Sequence, residues 1–232
     1  MPDKIMVLDF GSQTTQLIGR RIRDLGVYTE IVPGDTPLTG GSFDGVRGII
    51  LSGSPESVYT AEGAVPDKRV YRSGLPLLGI CYGLQRMTAD HGGLVKPLPK
   101  REYGGIGVTI RGTADGAADS QGNLIRKFLA GFDSSISLRA ITDPAASPDS
   151  SNVPRSFTAW MSHGDTLTRL APGFREYGTS DTGYPAVVIH QSEPWFGLQV
   201  PPEVTHCERG RESLPAFVFG VCRSTPGWTM ER

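Results

Sequence analysis

The sequence predicts an α/β fold in which a mostly parallel central sheet is flanked by helices and continues into a smaller antiparallel portion. Through the first half of the 232-residue chain, short apolar runs alternate with segments of helical periodicity. This alternation is typical of parallel strands joined by crossover helices. The second half instead contains short strand-like segments joined by turns, a pattern that indicates antiparallel pairing.

Four strands and two helices are predicted in the first half. A helix is expected over 14–26, because its apolar residues recur at three- to four-residue spacing and Gly26 suits a C-terminal stop. A second helix is expected from residue 82 to about His91. The strands are KIMVLDF (4–10), YTEIV (28–32), GIILSG (48–53) and PLLGI (76–80), with a Gly- and Pro-rich loop over 33–45.

The second half is predicted to hold four more strands and a closing helix. That helix is expected around 208–222, although Pro215 would strain it unless the helix begins there. Segments 113–122 and 143–154 are expected to be loops, because they are rich in Gly, Ala, Asp, Ser and Pro. The strands are 102–112, 173–182, 185–191 and 195–200.

Composition excludes several classes of partner. Lys and Arg total 23 against 24 acidic residues, a near-balance that gives no reason to expect nucleic acid or a membrane surface. The apolar run at the N-terminus is too short for a signal peptide, and no stretch approaches the ~18–20 apolar residues of a membrane helix. Three cysteines without C-x-x-C spacing indicate a cytoplasmic protein with no disulfide framework and no metal site.

Cys81 stands where a predicted strand turns into a helix, within the string G-I-C-Y-G. Small residues two before and two after it suit a sharp turn that lifts the side chain above the sheet. The helix dipole would favour the thiolate there, and the N–H of Tyr82 would point toward an oxyanion. Cys81 is therefore a candidate nucleophile. The alternative is a small buried hydrophobic residue, which is the commonest role of a free cysteine.

Six strings occur along the chain in a specific order: VLDFGSQTTQLIGRRIRDLGVY, GIILSGSPESVY, GICYGLQ, REYG, WMSHGDTL and PEVTH. Together they resemble the class I glutamine amidotransferases, and more narrowly the glutaminase part of GMP synthetases. The resemblance runs from about residue 4 to WTMER at the end. It implies a Cys–His–Glu triad that hydrolyses glutamine through a thioester and releases ammonia to an ATP-pyrophosphatase domain that converts XMP to GMP.

The resemblance also assigns roles to individual residues. Cys81 would be the nucleophile, Glu203 the orienting carboxylate, and the backbone N–H groups of Ser54 and Tyr82 the oxyanion donors. From the residues alone, the glutamine contacts have other readings: Gln85 could be a solvated helix residue, and SHGD a turn followed by an Asp helix cap. The implied contacts to glutamine are Gly53, Gln85, Ser162, Gly164 and Asp165.

The sequence departs from the family at the triad histidine. The usual string is Gln-Phe-His-Pro-Glu, whereas residues 199–203 read Gln-Val-Pro-Pro-Glu, so that Pro201 takes the histidine position. Proline has no titratable group and no N–H, and it can neither accept the thiol proton nor protonate departing ammonia. Loss of general acid–base catalysis costs ~10²–10⁴-fold in rate. We therefore expect very low intrinsic glutaminase activity.

Two further points concern this degenerate site. His206 and His163 belong to the strings PEVTH and SHGD and are expected to have other roles there. His91 and His190 lie in no recognised motif. None of the four is therefore expected to replace the missing histidine. Ser54 stands where the family has glycine, and its Cβ would disfavour a positive φ there. Support for the oxyanion is thus also in question.

The resemblance divides the chain into an amidotransferase domain over 1–222 and the start of a linker over 223–232. No Ser-Gly-Gly-Val-Asp-Ser pyrophosphate loop occurs in the sequence, so ATP and Mg²⁺ would belong to a synthetase domain absent from this chain. The expected partners are L-glutamine and an ATP-pyrophosphatase domain or subunit. The alternative function is a catalytically disabled glutamine-binding or regulatory module that docks on a synthetase. A weaker third reading is another kind of cysteine hydrolase.

Overall fold

The computed structural model describes residues 2–111, 119–133, 136–142, 155–202 and 210–229. Within these ranges, nine strands form a single sheet in the order β2-β1-β3-β4-β9-β8-β7-β5-β6. The strands are β1 (Lys4–Asp9), β2 (Tyr28–Pro33), β3 (Val46–Leu51), β4 (Leu77–Ile80), β5 (Leu94–Ile110), β6 (Arg155–Arg169), β7 (Phe174–Ser180), β8 (Pro185–His190) and β9 (Trp195–Leu198).

Strands β2, β1, β3, β4 and β9 pair in parallel and form one half of the sheet. The inner strands β3, β4 and β9 are almost wholly buried, whereas the edge strand β2 is partly exposed. Alternate residues enter two separate hydrophobic cores: Ile50 and Leu78 contribute to one, and Ile49 and Leu77 to the other. The predicted α/β architecture is confirmed, and the four first-half strands lie where they were expected.

Strands β8, β7, β5 and β6 form the antiparallel half. The predicted strands over 102–112, 173–182 and 185–191 correspond to parts of β5, β7 and β8. The segment 195–200, which contains β9, was expected to be antiparallel in character. This is correct for its pairing with β8 and wrong for its pairing with β4, which is parallel. Strand β9 thus joins the two halves of the sheet, a role that its four-residue apolar sequence does not reveal.

The helices are short, and six α-helices lie within the described ranges. Helices α1 and α3 confirm the two first-half predictions, and Gly26 ends the first with a φ of +79°. The expected loop over 113–122 is wrong for residues 119–122, which begin α4, and 113–118 and 143–154 lie outside the described residues. The helices are α1 (Thr15–Asp24), α2 (Arg69–Arg72), α3 (Tyr82–Asp90), α4 (Asp119–Ala130), α5 (Leu138–Thr142) and α6 (Gly210–Pro215), with a 3₁₀ turn at Gly40–Phe43.

The closing helix accommodates Pro215 by changing its geometry. The proline is the last residue of α6, and the chain continues directly as a π-helical segment, Ala216–Val221. A proline lacks the N–H that an α-helix needs at its interior positions, so a change of hydrogen-bonding pattern at this point is expected. The closing helix predicted around 208–222 is confirmed for the described residues 210–221, and it does not begin at Pro215, because residues 210–214 are already helical.

The segment after Val221 has no regular structure but is bonded to the domain. The backbone N–H groups of Gly227 and Trp228 donate to the carbonyl of Gly26 at 3.0 and 2.9 Å, and the N–H of Thr225 donates to Asp3. The assignment of residues 223–232 to a linker remains a prediction. No helix within the described ranges is long and apolar enough to cross a membrane.

Replacement of Phe217 by alanine should strongly destabilise the domain. Phe217 is fully buried, contacts Phe196 at a ring-centroid distance of 6.2 Å, and holds the closing helix against the sheet. Loss of such a side chain costs ~3–5 kcal/mol of unfolding free energy, measurable by urea denaturation. Val65→Ala is the control, because Val65 is 51% exposed and its truncation should cost under about 0.5 kcal/mol. Equal losses in the two variants would contradict this packing.

Candidate active site

Cys81 forms the link between β4 and α3 and has an unusual backbone conformation. Its φ is 49° and its ψ is −107°, and among described non-glycine residues only Arg223 shares a positive φ. Such a conformation costs ~1–3 kcal/mol and persists only where the surrounding structure enforces it. Cys81 as a residue is partly buried and packs against the border of the hydrophobic core. The strained strand-to-helix turn that the sequence predicted is therefore observed, and the role of Cys81 as a nucleophile stays a prediction.

The two glycines that flank Cys81 make this turn possible. A Cβ on Gly83 would stand 2.1 Å from the carbonyl oxygen of Leu51, at the end of β3. A Cβ on Gly79 would stand 2.7 Å from the backbone nitrogen of Leu84. Neither distance leaves room for a side chain, so the close approach of β3, β4 and α3 requires glycine at both positions.

The carboxyl end of β9 contacts Cys81 directly. The backbone N–H of Cys81 donates to the carbonyl of Leu198 at 2.7 Å, and its thiol donates to the carbonyl of Gln199 at 3.2 Å. Pro201, which is partly buried, follows two residues later at the same edge of the sheet. The sequence position of the expected triad histidine therefore lies next to the segment that holds the sulfur.

The segment after β3 brings Gly53, the residue before the expected oxyanion donor Ser54, close to Cys81. A Cβ built on Gly53 would lie 3.9 Å from that of Cys81 and 3.5 Å from the hydroxyl of Ser12. The backbone N–H of Tyr82 is the first of α3 and has no carbonyl partner within the helix. Ser54 does not adopt a positive φ, so its Cβ introduces no backbone strain in this conformation. The expected conflict at Ser54 is therefore absent.

Gln85 and Asp165 meet one turn below Cys81. Gln85 is only 3% exposed, and its Nε2 donates to the backbone carbonyl of Asp165 at 3.1 Å and to Oε1 of Gln199 at 3.4 Å. The solvated-helix reading of Gln85 is thus wrong. Gly164 and Asp165 lie within β6, as does the backbone of Ser162, so the reading of SHGD as a turn and helix cap is also wrong. Burial of an amide between two strands is a tertiary property that the helix sequence does not report.

Several residues near the site had no predicted role. The carboxylate of Asp165 accepts hydrogen bonds from the hydroxyls of Ser57 and Tyr59, at 2.5 and 2.6 Å. Ser57 and Tyr59 belong to the string SPESVY, whose sequence alone indicates no contact with Asp165. Gln199 was noticed only as part of the string before Glu203, yet its carbonyl and side chain contact Cys81 and Gln85.

The remaining triad candidates fall into two groups. Glu203 and His206 lie outside the described residues, as does the side chain of His163, so their roles stay predictions. His91 and His190 are described and are engaged elsewhere.

The imidazole rings of His91 and His190 both contact Trp195 at the start of β9, with centroid distances of 4.8 and 5.4 Å. Trp195 is three residues, or ~10 Å along a strand, from the Leu198 end that contacts Cys81. Nδ1 of His91 also bonds to the carbonyl of Met87, and Nδ1 of His190 accepts from the N–H of Glu193. Neither ring lies at the Cys81 edge of the sheet.

The second described cysteine, Cys222, differs sharply from Cys81. It lies buried against Gly48 at the C-terminal end of the π-helical segment, and burial raises the pKa of its thiol well above the usual value. It is thus not a nucleophile. Among the described residues, no group of three His, Cys, Asp or Glu side chains could hold a metal ion. A cavity of about 400 Å³ lies beside Tyr71, His91 and Trp195, at the opposite edge of the sheet from Cys81.

Comparison with known families places this geometry in context. Residues 6–221 match the family described as "Glutamine amidotransferase class-I". The chain is 39% identical over 229 residues to the glutamine-hydrolysing GMP synthase of Enterococcus faecalis, covering 99% of this chain and 38% of that protein. It is 38% identical over 226 residues to the corresponding enzyme of Aquifex aeolicus, covering 97% and 38%. The chain thus spans about two fifths of the length of these curated relatives.

Solved structures share the fold. A protein from Thermoplasma acidophilum, described as a GMP synthase subunit, superposes with a TM-score of 0.68 at 24% identity, covering 96% of this chain and 95% of that one. A glutamine amidotransferase from Thermotoga maritima gives a TM-score of 0.60 at 14% identity, covering 94% and 81%. At these identities the similarity establishes the architecture alone.

Alanine at Gly83 or Gly79 should disrupt the turn that carries Cys81. Because the added methyl would overlap backbone atoms, each variant should lose ~1–3 kcal/mol of unfolding free energy in urea denaturation. Gly40→Ala is the matched control, since no atom lies within 4 Å of a Cβ at that position. Stability of Gly83→Ala equal to that of Gly40→Ala would show that the strands do not approach as described.

Proposed function

The chain belongs to the class I glutamine amidotransferase family, and we propose that it binds L-glutamine beside Cys81 and hydrolyses it only very slowly by itself. One observation carries this proposal. Cys81 lies in a strained strand-to-helix turn, and the segment whose Gln199 carbonyl contacts its sulfur continues into Pro201. The turn supports attack on a carboxamide, and the proline removes the expected proton carrier.

The reaction would begin with attack of the Cys81 sulfur on the side-chain carbonyl carbon of glutamine. Negative charge would then develop on the carbonyl oxygen, within reach of the backbone N–H groups of Ser54 and Tyr82. The amino-acid end would be held by Gln85 and by the backbone of Gly53, Ser162, Gly164 and Asp165. The buried position of Gln85 supports this role, because a fixed amide positions a ligand better than a solvated one.

The slow step would be the departure of ammonia. An amide nitrogen leaves poorly unless it is protonated, and the family uses a histidine for this transfer. Pro201 has no proton to give, and Glu203 then has no imidazole to orient at that position. His206 and His163 are the remaining candidates for a substitute acid, and we expect neither to replace the histidine.

The released ammonia would serve a synthetase. We propose that an ATP-pyrophosphatase domain or subunit converts XMP to GMP with it, because the chain is similar to the glutaminase part of GMP synthases. ATP and Mg²⁺ would bind to that partner, and this chain would need no cofactor of its own. The three cysteines of the sequence, which lack C-x-x-C spacing, favour the cytoplasm as the compartment.

A second candidate function is a glutamine-binding or regulatory module that docks on a synthetase. Pro201 favours this reading, because a site that binds glutamine without turnover could report the concentration of the amino acid. The two functions share one pocket and differ in whether the bound amide is cleaved.

Pro201→His should raise ammonia release from glutamine by at least ~10²-fold, because it restores a proton carrier next to Cys81. The wild-type chain should release no measurable ammonia in the same coupled assay. Pro201→Asn is the matched control, since it also removes the proline ring but adds no group that titrates near neutral pH. It should leave the rate unchanged.

Cys81→Ala and His206→Ala separate the remaining explanations. Robust wild-type turnover that is abolished by Cys81→Ala would refute the disabled site, and its loss in His206→Ala would identify the substitute base. Unchanged activity of Pro201→His, in a variant that folds as the wild type does, would also contradict the role given to Pro201.

Isothermal titration calorimetry should detect glutamine binding to the wild-type chain without hydrolysis. Gln85→Ala should weaken this binding by about tenfold or more, since a buried hydrogen-bonding group would be removed from the pocket. Arg72→Ala serves as the control, because Arg72 is exposed at the opposite edge of the sheet. Absence of binding in the wild type would remove the regulatory alternative.

A further inference from the structure

The segment 57–64, which we call the strap, crosses the outer side of helix α3 without forming a helix or strand. It begins three residues after Ser54, so its position limits where the proposed oxyanion donor can lie. Side chains from two other elements hold it. Arg86 donates from Nη1 to the carbonyl of Val58 at 3.1 Å, and the hydroxyl of Tyr82 donates to the carbonyl of Ala64 at 2.7 Å.

The third anchor is Asp165 on β6, and it is the most completely engaged. Its Oδ2 accepts from the hydroxyl of Ser57 and its Oδ1 from that of Tyr59, so both carboxylate oxygens are bonded to the strap. Asp165 is 9% exposed, whereas Tyr59 as a whole is 52% exposed. Hydrogen bonds to a buried carboxylate are among the stronger ones in proteins. They hold an otherwise exposed tyrosine down on the domain.

The same residue also reaches the glutamine pocket through its backbone. The carbonyl of Asp165 accepts from Nε2 of Gln85, the side chain proposed to hold glutamine. One residue thus contacts the strap with its side chain and the pocket with its main chain. A displacement of the strap would move Asp165, and Asp165 would move the acceptor that orients Gln85.

We propose that Asp165 is a positioning residue: its carboxylate latches the strap through Ser57 and Tyr59, and this latch sets the pocket formed by Ser54 and Gln85. In this assignment the carboxylate does not touch glutamine. The effect on the pocket rests on the proposed function. The latch itself rests only on the hydrogen bonds of Asp165 to Ser57 and Tyr59. Asp165→Asn would weaken it, because an amide nitrogen would face one of the two hydroxyl donors.

Limited proteolysis without any ligand tests the latch alone. Glu56 and Glu62 flank or lie in the strap and are exposed, so a glutamate-specific protease can report its release, with the cleavage sites identified by mass spectrometry. Asp165→Asn and Tyr59→Phe should each speed cleavage at these two residues by about tenfold, the factor that corresponds to loss of one such hydrogen bond. Tyr177→Phe is the matched control, because its hydroxyl bonds to Gln191 far from the strap. Cleavage at the wild-type rate in both latch variants would overturn the proposal.

Covalent capture tests the effect on the pocket. The rate at which a chloroketone analogue of glutamine modifies Cys81 is compared with the rate for iodoacetamide, which needs no amino-acid pocket. Asp165→Asn, Ser57→Ala and Tyr59→Phe should each slow the analogue by about tenfold and leave iodoacetamide within about twofold. The double variant Asp165→Asn/Tyr59→Phe should be no slower than Asp165→Asn, because both changes open the same latch.

The outcomes separate the latch from the proposed function. Slowing in Asp165→Asn alone, with Ser57→Ala and Tyr59→Phe unchanged, would overturn the proposal and make the carboxylate a direct glutamine ligand. Equal slowing toward both reagents would also overturn it, since the turn at Cys81 would then have been disturbed. If the wild-type chain reacts no faster with the analogue than with iodoacetamide, the proposed function fails, and proteolysis alone decides the latch.

Discussion

The active-site architecture depends on the contact between backbone atoms around Cys81. Gly83 lies against the carbonyl of Leu51, and Gly79 lies against the first turn of α3, at distances that exclude any side chain. Because these approaches hold strands and helix together, Cys81 is kept at a positive φ that an isolated peptide would avoid. The burial of the two parallel strands on both faces supplies the free energy that offsets this local strain.

The order of the strands in the sheet places the other groups of the site near Cys81. The carboxyl ends of β3, β4 and β9 are adjacent because these strands pair in parallel, so Gly53, Cys81 and Gln199 meet at one edge. Antiparallel strand β6 contributes Asp165 from the other half of the sheet. The strap bonds to this strand through the hydroxyls of Ser57 and Tyr59, which donate to the carboxylate of Asp165. The proposed latch would couple these elements.

Pro201, the residue proposed to make this site chemically incomplete, does not disturb the contacts around Cys81. The proline follows a strand, where its missing N–H costs no ladder hydrogen bond, and the buried segment before it keeps its contacts with Cys81. A side chain needed only for proton transfer can be lost in this way while the fold is retained. The proposal that glutamine binding is separate from glutamine cleavage rests on this difference.

The sequence by itself determined the alternation of strands and helices, the glycines beside Cys81 and the absence of a titratable side chain at Pro201. These follow from local periodicity, steric size and side-chain chemistry. It did not determine that β9 pairs in parallel with β4, that residues 119–122 begin a helix, or that SHGD lies within a strand. Only the tertiary structure decided the burial of Gln85 and the latch at Asp165. Their hydrogen-bond partners lie far away along the chain, and no local pattern records which distant groups will meet.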